Sequence, residues 1–134
     1  MSTIQLRNEN YWKWSQLTIQ EIMNMTKNPY QEEIKHYLVH HFNLPPEQIA
    51  SMLPNLIETL ADHIDNLEAE LEQQDLERLG KAGHTIKGAL LNLGLQECAD
   101  IAYDIETNGK AGNTDVNYQQ LVRSIREKLN CYIS

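Results

Sequence analysis

Ile49, Leu53, Leu56, Leu60, Ile64, Leu67 and Leu71 recur in steps of three and four. That spacing puts them all on one face of a helix of roughly seven turns. Such a stripe cannot stay in water and must be covered by other elements of the chain. No segment shows the sustained apolar/polar alternation of a strand, so helices do the covering and the fold class is all-α. Pro54 interrupts the stripe. Its missing N–H and its ring clash predict a kink near Ala50, or a short first piece ending near Met52.

Three further helices follow. Asp75 is a good N-cap for a second long helix in which Leu76, Leu79, Gly83, Ile86, Leu90 and Leu93 repeat the rhythm. Gly94 stands where a left-handed C-terminal cap is expected. A third helix is predicted from Gln96 to Asn108, with Cys98, Ile101, Ala102 and Ile105 inward; Gly109 ends it, and GKAGN makes a loop. The last begins near Thr114 or Asp115 and buries Leu121, Val122, Ile125 and Leu129. Four amphipathic helices joined by short turns describe an antiparallel four-helix bundle over residues 46–134. Residues 1–45 read as an N-terminal helical extension packed on it. Tyr30, Ile34, Tyr37, Leu38 and Phe42 share a face there, and Trp14, Leu17, Glu21 and Met25 outline a weaker one.

Composition narrows the function. A chain of 134 residues fits one domain whose core needs neither disulfides nor metals. It carries 19 acidic and 11 basic side chains, for a formal charge of -8. Duplex nucleic acid and acidic membranes are therefore disfavoured as partners, because both are held by clustered Lys and Arg. The start, MSTIQLRNEN, lacks the apolar core of a signal peptide, and the stretch GALLNLGLQ is too short to span a bilayer, so a cytoplasmic location is expected. Cys98 and Cys131 form no CxxC pair and read as small core residues.

The glycines of the second long helix mark a candidate site. Gly80, Gly83 and Gly88 each cost about 0.8 to 1.0 kcal/mol relative to Ala in a helix interior. Gly83 lies on the apolar stripe, where a missing side chain lets a neighbouring helix come close. Gly88 does not: at about 100° per residue it lies roughly 180° from the core direction, and His84 roughly 140° from it. Lys81, His84, Lys87, Gly88 and Leu91 therefore form one outward strip. A bare backbone one turn from His84 makes sense if another protein must approach the imidazole closely.

The charges are distributed to match. Residues 46–77 hold nine acids and no base, whereas 78–96 hold Arg78, Lys81 and Lys87 and no acid. That local positive field would stabilise an anionic group on the imidazole and steer it towards an acidic pocket. A neutral imidazole is a competent nucleophile and can accept a phosphoryl group, and the transfer needs little from the acceptor beyond positioning and charge neutralisation.

The run AGHTIKGALLNLG, from Ala82 to Gly94, resembles the HxxKG signature and following leucine-glycine pair of histidine-containing phosphotransfer (HPt) domains of two-component phosphorelays. The resemblance rests on His84, Lys87, Gly88, Leu93 and Gly94, preceded by Asp75, and extends over about residues 46 to 130. It implies that His84 is the phospho-acceptor, modified on its outer ring nitrogen, that Lys87 neutralises the phosphoryl group, and that Gly88 leaves room for a receiver domain. It also implies a four-helix bundle with the histidine exposed midway along one helix. Members usually have alanine where this chain has Gly83, and the N-terminal extension exceeds a minimal domain.

The function expected is a stand-alone phosphocarrier relaying phosphoryl groups between the receiver-domain aspartates of hybrid histidine kinases and response regulators. It is not itself a kinase, since the length leaves no room for an ATP-binding domain and no phosphate-binding P-loop is present. No cofactor of its own is expected; magnesium comes with the partner's receiver domain. The alternative is a non-catalytic interaction module that binds a receiver or kinase. Glu33, His36 and His40 could share a helix face as a zinc set, but no metal site is assigned to them. Lys81 and Leu91 read equally well as a solvated lysine and a bundle-edge leucine. Tyr11, Trp12 and Trp14 around Lys13 read as anchors of the extension to the bundle or to a second subunit in a homodimer, with base stacking the alternative.

Overall fold

A computed structural model describes residues 28–133. It contains α1 (Gln31–Phe42), α2 (Pro46–Glu72), α3 (Leu76–Asn92), α4 (Gln96–Lys110) and α5 (Tyr118–Ile133), with no strand among the described residues. α2 packs on α3 and α5, and α4 packs on the same two. This closes the antiparallel four-helix bundle around Leu60, Ile64, Leu67, Ile86, Leu90, Ile105, Ile125 and Leu129, all fully buried.

The Pro54 split does not occur: α2 runs unbroken from Pro46 to Glu72. Pro54 and Ala50 both face solvent, so the carbonyl that loses its partner can take a hydrogen bond from water. The buried stripe continues across the proline, with Ile49 and Leu53 before it and Ile57 and Leu60 after it. Ile57 is buried where the sequence pattern placed Leu56, which is only half-buried; the two are neighbours on the edge of one broad face.

The chain turns from α2 into α3 at Asp75, whose Oδ1 accepts from Arg78 N at 3.1 Å. α3 ends in a Schellman motif, with Leu95 N donating to Leu90 O and Gly94 N to Leu91 O. Gly94 takes φ +77° there, and a Cβ on it would clash with the Tyr37 ring, 2.5 Å from Cδ1.

Two boundaries differ from expectation. Gly109 does not end the third helix; it is a buried interior residue of α4, and the left-handed turn falls at Gly112, φ +67°. α5 starts at Tyr118 rather than near Thr114. The intervening segment is held by Asn113, which accepts from Asp115 N at 3.0 Å, and Asn117 caps the helix by accepting from Gln120 N at 3.0 Å. Asn113 makes an Asx-turn of the kind that competes with helix initiation.

α1 shares the bundle's core through Ile34 and Leu38. Tyr30 and Phe42 are exposed, not inward. Asn28 Nδ2 and Gln31 Nε2 donate to Tyr132 O at 3.2 and 2.7 Å, satisfying a carbonyl that the last turn of α5 leaves open. The expectations for Tyr11, Trp12, Lys13, Trp14, Leu17, Glu21 and Met25, and most of the segment expected to mediate a homodimer, lie outside the described residues.

Candidate functional site

The site begins with how closely α3 and α4 approach. A Cβ on Gly83 would stand 3.0 Å from Glu106 N and 3.2 Å from Ala102 O. One on Gly109 would stand 2.7 Å from Leu76 O, and one on Gly80 2.8 Å from Lys110 N. Only glycine admits contacts this short between the two backbones. Gly83 thus has the packing role its place on the stripe indicated, and the departure from alanine has a reason: a methyl group would push α4 outward.

The close approach delivers a carboxylate to His84. Glu106 follows Ala102 by one turn and is 8% exposed, the one buried charged residue among those described. Its Oε2 accepts from His84 Nδ1 at 2.7 Å and from Lys110 Nζ at 2.9 Å, and Lys87 Nζ lies 2.7 Å from Oε1. Lys87, then Lys110 and His84, pull the carboxyl from its ordinary 4.5 down to about 2, against the opposing effect of burial.

An ionised carboxylate can only accept, so this contact favours a hydrogen on Nδ1, and in the neutral ring with that tautomer the Nε2 lone pair is free. The His84 side chain is 62% exposed.

The remaining strip residues divide. Gly88 is open, with nothing within 4 Å of where a Cβ would be, and Leu91 is 40% exposed on the same face. Lys87 does not extend freely into solvent; its ammonium sits between Glu106 and the Tyr103 ring, 5.1 Å from the ring centroid. Lys81 lines a shallow depression with Asn66, Glu70, Arg78 and Thr85, on the α2 side of the helix, apart from the Glu106 cluster. The positive island is largely compensated: Arg78 pairs with Glu70 at 3.0 Å, and Lys87 with Glu106.

Sequence periodicity did not single out Glu106, Lys110 or Tyr103. A signal for Glu106 was present, since it interrupts a row of small buried residues, Ala99, Ala102 and Gly109, where an unpaired carboxylate would be costly. The zinc alternative does not assemble. Glu33 accepts from Tyr132 OH at 3.3 Å, and no group of three His, Cys, Asp or Glu side chains among the described residues is placed to hold a metal ion.

A family model, the Hpt domain, matches residues 51–130. The chain belongs to this family. No curated protein and no solved structure matches it. The Hpt match begins within α2, takes in α3 and α4 with every member of the Glu106 cluster, and ends within α5; α1 lies before it. Hpt domains pass phosphoryl groups through a histidine in phosphorelays, as carriers rather than kinases. Among the described residues, no helix of this Hpt chain is long and apolar enough to cross a membrane.

Proposed function

We propose that the chain is a stand-alone phosphocarrier, with His84 relaying a phosphoryl group between the receiver domains of hybrid histidine kinases and response regulators in the cytoplasm. The observation that carries this reading is the 2.7 Å contact between His84 Nδ1 and Glu106 Oε2. It supports the tautomer of the neutral ring in which Nε2 keeps its lone pair.

In the transfer, the Nε2 lone pair attacks the phosphorus of a receiver's aspartyl phosphate. The new P–N bond forms as the P–O bond to the aspartate breaks, and the carboxylate leaves with that electron pair. The ring becomes an imidazolium whose Nδ1–H stays on Glu106, so the carboxylate stabilises the charge as it develops. Reversal passes the group to the next receiver. Lys87 neutralises the phosphoryl oxygens, Gly88 admits the receiver surface, and Lys81 and Leu91 supply charge and apolar contact at its edges. Magnesium is supplied by the receiver domain. A module that merely bound receivers would have no use for a buried carboxylate aimed at one ring nitrogen.

The test is label transfer from phosphorylated receiver domains of the same cell, in magnesium, to the wild-type chain and to His84→Gln. Label on the wild type that is absent from the variant is expected. Label retained by His84→Gln would show that the acceptor lies elsewhere.

A further inference from the structure

Glu106 is approached by more positive charge than it needs. Lys110 Nζ stands on Oε2 and Lys87 Nζ on Oε1, so with His84 neutral the cluster carries one surplus positive charge. The HxxKG signature contains only the first of these lysines to occur in the chain, Lys87. Lys110 reaches the site because residue 80 is glycine: a Cβ there would lie 2.8 Å from Lys110 N and 3.0 Å from its Cγ. Gly80 thus clears the path of the Lys110 stem.

The arrangement leaves a difficulty for phosphotransfer. Lys87 is one turn from His84 on the same face, within reach of a phosphoryl group on Nε2, yet its side chain is only 22% exposed and is committed to Glu106. Without Lys110, moving it away would leave the buried carboxylate only its hydrogen bond to His84, whose charge after transfer is shared with the phosphoryl group, and an under-compensated buried charge is unfavourable. A second lysine on the other oxygen removes that obstacle.

We propose that Lys110 is a positioning residue: by staying on Glu106 it frees Lys87 to leave Oε1 and move onto the phosphoryl group when His84 is phosphorylated. This deepens the phosphocarrier reading and rests on it. The two anions, carboxylate and phosphoryl, are then served by two lysines, and the imidazolium formed on transfer keeps its own hydrogen bond to Oε2. Lys110 acts through Lys87 and does not itself need to touch the phosphoryl group.

The experiment measures how label distributes at equilibrium between the full chain and a receiver domain of the same cell, with magnesium, for wild type, K110M, K110R, K87M and the double variant K87M/K110M. K110M should shift the distribution towards the receiver on the order of tenfold, the loss of one charge-assisted contact, and K110R should restore it. K87M should show a shift of its own, and adding K110M to it should cause no further loss. A role limited to the C-terminal dipole of α4 or to folding would not depend on Lys87 in this way. An unaltered K110M, or the same loss with and without Lys87, would overturn the exchange. A wild type that takes no label from any receiver would overturn the phosphocarrier reading instead.

Discussion

Replacing Glu106 by glutamine should erase a pH-dependent part of the stability. The folded chain holds this carboxyl at about 2 against an ordinary 4.5, so the unfolded chain takes up a proton first as the pH falls. Its stabilisation is present in full above the unfolded value and is lost on the way down to the folded one. At about 1.4 kcal/mol per unit, the two to three units amount to on the order of 3 kcal/mol. About 2 kcal/mol of this should vanish between pH 5 and pH 2.5, because the lower limit stops short of the folded value. Glu106→Gln keeps the shape but carries no titratable group at this position. Ion pairs elsewhere, such as Arg126 with Asp65 and Glu68, are common to both proteins and cancel. Urea unfolding of both proteins at a series of pH values measures the gap. Wild type should lead clearly at pH 5, and the lead should shrink by about 2 kcal/mol at pH 2.5. A gap independent of pH would refute the claim that Glu106 is held ionised by Lys87, Lys110 and the hydrogen bond to His84.

Two glycines of the same helix pair should respond in opposite ways. Gly88→Leu, with open space around it, should gain roughly 0.7 kcal/mol of stability from helix propensity, yet slow label uptake from a receiver by about tenfold if a clash costs docking about 1.4 kcal/mol. Stability and stopped-time transfer assays on one preparation decide this, and unchanged transfer would remove the close-approach role. Gly109→Ala should lose about 1 to 3 kcal/mol through overpacking, because the new methyl meets Leu76 O and the Gly80 backbone, neither of which can move aside. A more stable variant in urea would mean that α3 and α4 do not approach as closely as described.

Much of this was legible along the chain because helical periodicity is local. A residue's angle about its own axis follows from its number, so His84 and Gly88 were placed outward and Ile86 and Leu90 inward before any partner helix was known. The Asp75 cap and the Gly94 turn were legible for the same reason: each depends on the next few residues. Boundaries were weaker where one residue type serves two purposes. Gly109 looked like a terminator but is a packing glycine, and Asn113 with Asn117 divides a turn from a helix start that the sequence alone ran together.

The sequence by itself determined the helices, their buried faces and the outward histidine with its lysine and bare glycine. Tertiary structure alone decided what that histidine touches. Glu106 and Lys110 lie 22 and 26 positions beyond it, on another helix, and no periodicity relates their angles to that of His84. They meet it because Gly80, Gly83 and Gly109 let two backbones come into contact, and the separation of two helices is set by the side chains between them. The positive island of residues 78–96 changed meaning at the same step. Read linearly it is unopposed charge, but folded, its Lys87 is held by a buried carboxylate that also contacts His84 Nδ1.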